Sequence, residues 1–164
     1  MLIALKNGIT IEPCTFTAVI GPERAVIDMI NDNPDLQRYL FLFISGNFSR
    51  ILSSIQRTGQ NFEIRRPFTA HQLYTTLREA AHTVIFIEHD PTMFDGAWDM
   101  IKIIAGALKQ ISHEATVIIY SPTMDRAFSA LIQDAPRVIC LTTDERGASR
   151  QPRRNNTQMT LDIG

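Results

Sequence analysis

The 164-residue chain is 45% hydrophobic and 20% charged, an ordinary globular composition that excludes a disordered or fibrous protein. One domain of this length buries roughly 70% of its unfolded surface, enough core to stand without staples. A formal net charge of −1 gives no global pull toward nucleic acid or anionic membrane.

In chain order, Thr15–Ile20 (TFTAVI) is an apolar, β-branched run that meets Gly21-Pro22, and a helix is expected to start at once. Further strands are expected over 39–45 (YLFLFIS), 82–88 (HTVIFIE), 115–120 (ATVIIY) and 137–141 (RVICL). None of these runs alternates apolar with polar, which marks strands covered on both faces. Helical spacing is expected over 48–57, 69–81, 95–111 and 123–132. Where the third of these begins, Phe94 and Trp98 stand four apart and are expected to share a buried helical face. Two cysteines, Cys14 and Cys140, are too few for a disulfide or metal framework and are expected as buried free thiols beside strands.

Strands alternating with helices imply an α/β domain: a mainly parallel, doubly wound sheet flanked by helices. Residues 1–143 form that core. Residues 144–156 (DERGASRQPRRNN) hold four arginines and read as a loop or linker, and 157–164 alternate as a last edge strand of the same domain would. With neither a signal segment nor a membrane-length apolar run, a soluble cytoplasmic protein is expected.

In such a sheet, working groups gather in the loops that leave the carboxyl ends of the strands, here 21–24, 45–48, 88–94 and 121–124. Glu88-His89-Asp90 is the densest ionisable cluster among them. As a metal or acid–base site it needs side chains that converge, and neighbours on a strand end diverge. Asp90-Pro91 suits a turn or a helix cap better. Ser45-Gly46-Asn47 is a permissive turn with Asn47 a candidate cap. His71 and Gln72 open a helix, either to meet a ligand or, more simply, to pack that helix beside the sheet. Arg65-Arg66 fits a solvated strand end or a subunit contact.

Read together, these strand ends resemble the core of the RecA/RadA recombinase-type P-loop ATPases, including the RadB and KaiC-like branches. YLFLFISGNFSRIL is similar to their second core strand with its following Gly-Asn-Phe, and IRRPFTAHQL to the arginine, aromatic and His-Gln run before the next helix. HTVIFIEHD is similar to the Walker B strand, with Glu88 as the acid. ATVIIYSP stands where the following strand senses the γ-phosphate. The resemblance covers most of residues 10–142, and Gly46-Asn47-Phe48 and His71-Gln72 are its most specific parts.

The departures decide what the resemblance implies. A phosphate loop needs converging N–H groups, glycines, a lysine and a hydroxyl for Mg²⁺. After Gly21 this chain has Pro22, which lacks an N–H, then Glu23, which repels phosphate, and then Arg24. Val26, Ile27 and Asp28 take the places of the glycine, lysine and hydroxyl. One absent lysine–phosphate contact is worth about 4 kcal/mol at an effective dielectric of 20, roughly three orders of magnitude in affinity. The water-orienting glutamate of the family falls on Ser45, a poor general base, and Tyr120-Ser121-Pro122 offers no sensor amide.

The implied protein is a non-catalytic RecA-like accessory or regulatory partner near DNA repair or recombination. It needs no cofactor, grips neither ATP nor Mg²⁺, and acts as a homo-oligomer or beside a RecA-like paralogue. Two alternatives stand beside it. One is a Mg²⁺- or Mn²⁺-dependent hydrolase, or a weak nucleotide binder, built on Glu88 and Asp90 with His89. The other is a nucleic-acid module carried by Arg146, Arg150, Arg153 and Arg154.

Overall fold

The computed structural model describes residues 3–4, 8–142 and the backbone of 160–161. A two-stranded antiparallel hairpin, β1 (Ile3–Ala4) and β2 (Thr10–Ile11), precedes the main sheet. The main sheet contains β3 (Phe16–Ile20), β4 (Phe41–Ile44), β5 (Phe62–Arg65), β6 (Val84–Glu88), β7 (Thr116–Ser121), β8 (Arg137–Cys140) and β9 (Thr160–Leu161). Their spatial order is β5-β4-β6-β7-β3-β8-β9. The first six are parallel, and β9 closes the far edge antiparallel to β8. The protein is therefore α/β, with a mainly parallel sheet, six of its seven described strands running parallel, flanked by helices.

The five strands expected from apolar runs all form, because each is sealed on both faces. On one face, Leu42, Ile44, Ile85, Ile87, Val117 and Ile119 meet α2 (Ala70–Glu79), α3 (Met100–Ile111) and α4 (Arg126–Leu131). On the other, Val19, Phe41, Phe43, Phe86, Ile118 and Tyr120 meet α1 (Glu23–Asn31), the hairpin, and two segments with only short 3₁₀ turns. On that second face an aromatic row crosses four strands: Phe62 stacks on Phe41 at 4.9 Å, Phe43 on Phe86 at 5.3 Å, and Phe86 on Tyr120 at 6.3 Å.

Several expectations need correction. Residues 48–57 do not form an α-helix; only Leu52–Ser54 makes a 3₁₀ turn. Their apolar residues Ile51, Leu52 and Ile55 are buried as expected, but side chains near and far in sequence take up the backbone. Gln56 N–H donates to Asn31 Oδ1, and Leu52 N–H donates to Ser49 Oγ. Gln37 Oε1 accepts from Thr58 and Gly59. Side chains that offer the backbone such alternatives compete with helix formation. The longest helix begins at Met100 rather than 95, because Gly96 adopts the left-handed φ of 71°. Phe94 and Trp98 therefore share no helical face: Phe94 is buried, while Trp98 is 46% exposed with Arg126 at 4.6 Å over its ring.

The fourth expected helix starts at Arg126, since Asp125 is its cap and accepts from Phe128 N–H at 2.8 Å. β5 and the hairpin were not expected as strands. Cys14 is exposed rather than buried, with φ 53°, and Cys140 is half-buried; both are free. Of the expected strand over 157–164, Thr160–Leu161 pairs with β8. Residues 144–156 lie outside the described residues. No helix among the described residues is long and apolar enough to cross a membrane.

Candidate functional site at the carboxyl edge of the sheet

Gly21 and Pro22 are the whole connection between β3 and α1. Neither presents an amide to a ligand. Pro22 has none, and Gly21 N–H donates to the carbonyl of Ser121 at 3.4 Å. The Gly21 carbonyl is also taken, accepting from the buried Tyr120 hydroxyl at 3.0 Å. Burial pushes that phenol up to about 12, so it stays a donor. On its remaining side Gly21 abuts the end of β8: a Cβ there would lie 2.6 Å from the Leu141 carbonyl oxygen and 2.8 Å from Leu141 Cβ. The glycine serves a close approach between neighbouring strand ends. Glu23 sits in the first turn of α1, at the positive end of the helix dipole, and its Oε1 meets Arg50 Nη1 at 3.4 Å. Arg24 is exposed.

Glu88 is buried at the end of β6, and both its oxygens are engaged. Oε1 accepts from Arg50 N–H at 2.9 Å, and Oε2 accepts from the Ser49 hydroxyl. Burial raises its pKa, while the Ser49 and Arg50 donors pull it back down. The same Ser49 oxygen accepts Leu52 N–H, so the acid and this serine together fasten the 45–52 turn over the strand ends.

His89 leaves the strand in a different direction. Its ring lies 6.0 Å from Phe94 and 5.2 Å from Phe128, and Nε2 meets the Asp125 carboxylate at 2.9 Å. Burial holds its pKa below the usual histidine range, and the Asp125 charge and hydrogen bond oppose that shift. Asp90 turns a third way. Its Oδ1 accepts from the N–H and hydroxyl of Thr92, capping the turn over Pro91–Phe94, and its Oδ2 faces Gly46 so closely that a Cβ there would lie 2.4 Å away. Three adjacent ionisable residues thus serve three separate anchoring contacts. Among the described residues no three metal-ligating side chains converge.

Beneath His89 lies a cavity of about 10 Å³ walled mainly by apolar side chains such as Ile44, Ile87, Met93 and Phe94. That is room for one water. Ser45 is fully buried beside it, with its N–H donating to the Arg65 carbonyl at 3.1 Å.

The remaining expected residues are not gathered here. Asn47 is exposed and caps no helix, because the segment after it stays irregular. His71 and Gln72 do not pack α2 against the sheet; both are exposed. Gln72 instead helps to start α2: its N–H donates to Thr69 Oγ1, and its Oε1 accepts from Phe68 N–H. Arg146, Arg150, Arg153 and Arg154 lie outside the described residues.

Sequence reasoning missed Ser49, Arg50, Asp125 and Leu141 as parts of this edge. Asp125 alone had a local signal, an Asx residue at a helix start. Ser49 and Arg50 reach Glu88 across nearly forty positions, which no local pattern reports. Large apolar side chains also stand exposed in the loops at this edge: Phe48 after β4 at 75%, Phe68 after β5 at 61%, and Met124 after β7 at 48%.

No family model matches the chain. It is 34% identical over 133 residues to an uncharacterised protein of Archaeoglobus fulgidus, an alignment that covers 80% of this chain and 67% of that protein. The chain belongs to the same family as that archaeal protein.

Proposed function

We propose that this protein is a non-catalytic, RecA-like domain whose nucleotide seat is filled by its own contacts, and that it works by binding protein partners at the carboxyl edge of its sheet. The observation that carries the reading is the two-residue Gly21-Pro22 turn, which has no spare amide and packs on Leu141. Glu88, which the resemblance casts as the Mg²⁺ acid, spends both oxygens on the protein. The adjacency of β6, β7 and β3 fits the resemblance, since it sets the three strand ends side by side where a shared site would have stood. A link to DNA repair or recombination, through a RecA-like paralogue, is the pathway the resemblance suggests.

Exposed aromatic side chains at the edge supply the contact surface, because such residues dominate binding energy where they become buried. The test is affinity purification from the native host with the wild-type chain and with a Phe48→Ser, Phe68→Ser double variant. Both side chains are largely exposed, so melting should be unchanged within about 0.5 kcal/mol. Loss of the specific co-eluting proteins from the variant supports the reading. The same retained proteins with both chains would contradict it.

A further inference from the structure

We propose that β5 is a self-pairing edge through which two copies of this chain associate about a two-fold axis at Ile64. The surface is the lateral edge of the sheet, so the inference does not rest on the reading of the carboxyl edge.

Among the described residues, β5 ends the sheet and pairs only with β4. The carbonyls of Asn61 and Arg65 accept from Phe41 and Ser45. Odd-numbered positions of β5 therefore turn their backbone groups inward, and Phe62 and Ile64 turn theirs outward. A row of outward N–H and C=O groups is a template for another strand.

The side chains specify which strand. In an antiparallel pairing centred on Ile64, the two Ile64 residues form a hydrogen-bonded pair, and Phe62 of each copy pairs with Arg66 of the other. Glu63 of each copy then stands opposite Arg65 of the other. These charged pairs fall at the non-hydrogen-bonded positions, where side chains approach most closely. Centring on Glu63 or Arg65 would keep the outward hydrogen bonds but would set like charges opposite each other at the closely approaching pair on the axis. The strand Phe-Glu-Ile-Arg is thus self-complementary in charge and hydrogen bonding in one register.

Within one copy, Arg65 Nε meets Glu63 Oε1 at 2.5 Å, Glu63 Oε2 meets His82 at 2.8 Å, and Arg65 Nη1 lies 4.0 Å from Glu79. The Arg65 and His82 contacts hold the Glu63 carboxyl below its usual pKa range. Both Glu63 and Arg65 remain nearly half exposed, at 42% and 48%, so each can reach across the axis and close a ring of four charges. On the opposite face, Phe62 and Ile64 pack on the sheet's second core and would carry its apolar row across the axis. A two-fold consumes both β5 edges, which gives a closed dimer instead of a fibre.

Sedimentation velocity over a concentration series tests this with four samples. The wild-type chain is expected to show a monomer–dimer equilibrium. Arg65→Glu alone and Glu63→Arg alone each place like charges opposite, and each should weaken the dimer by about tenfold or more. An equimolar mixture of the two restores opposite charges at both pairs and should recover a heterodimer, which misfolded chains would not do. A wild-type chain that stays monomeric throughout would overturn the proposal. So would variants that dimerise as well alone as they do mixed.

Discussion

His89 shows how a single residue at the carboxyl edge records its surroundings. Its ring is buried between Phe94 and Phe128, and Asp125 holds one nitrogen. Burial lowers its pKa from the ordinary 6.5. Below that value the unfolded chain takes up a proton that the folded chain resists, so the stability due to neutral His89 is complete above 6.5 and is lost as pH falls through the folded value. Glu88 has the opposite sign. Its raised pKa gives a contribution present below 4.5 and lost as pH rises through its folded value. Thermal melts of the wild type and His89→Gln across mildly acidic pH separate the two. The wild type should lose stability on acidification more steeply than the variant, and parallel profiles would show that His89 is not held neutral.

At the scale of elements, the 45–61 segment carries the clearest contrast between what a local pattern says and what the fold does. The apolar spacing over 48–57 matches a helix, and Ile51, Leu52 and Ile55 do enter the core while Phe48 stays exposed. Partners outside the segment decide its backbone: Glu88 on β6, Asn31 at the end of α1, and Gln37 between α1 and β4. Glu88 is therefore a clamp on this segment. Glu88→Ala should leave Ser49 and Arg50 without their acceptor and speed hydrogen exchange at the Arg50 and Leu52 amides. Amides of β6 and β7 should keep their protection. Unchanged exchange in the 49–52 turn would show that Glu88 does not hold it.

The same contrast explains how much was legible. The central strands were, because a strand sealed on both faces writes a continuous apolar run such as VIFIE or TVIIYS. β5 was not, since Phe-Glu-Ile-Arg at an edge alternates over only four residues and sits beside charges. The absence of a phosphate loop after Gly21 could be read directly. The groups that pack against Gly21, Leu141 and the Tyr120 hydroxyl, come from positions more than ninety residues away. Long-range occupancy of this kind has no local signature.

For the whole molecule, the parallel sheet brings the ends of β3, β6 and β7 together at one edge, and each of these strand ends is tied by contacts within the chain. The turn after β3 is stitched to β7 and β8, the acid that ends β6 is tied to the turn after β4, and the histidine that follows β6 is tied to the cap of α4. Isothermal calorimetry of ATP with Mg²⁺, run on the wild-type chain and on Arg24→Ala and Glu88→Gln, tests this directly. The account predicts no saturable heat for any of the three. Saturable binding by the wild type that both substitutions abolish would contradict it.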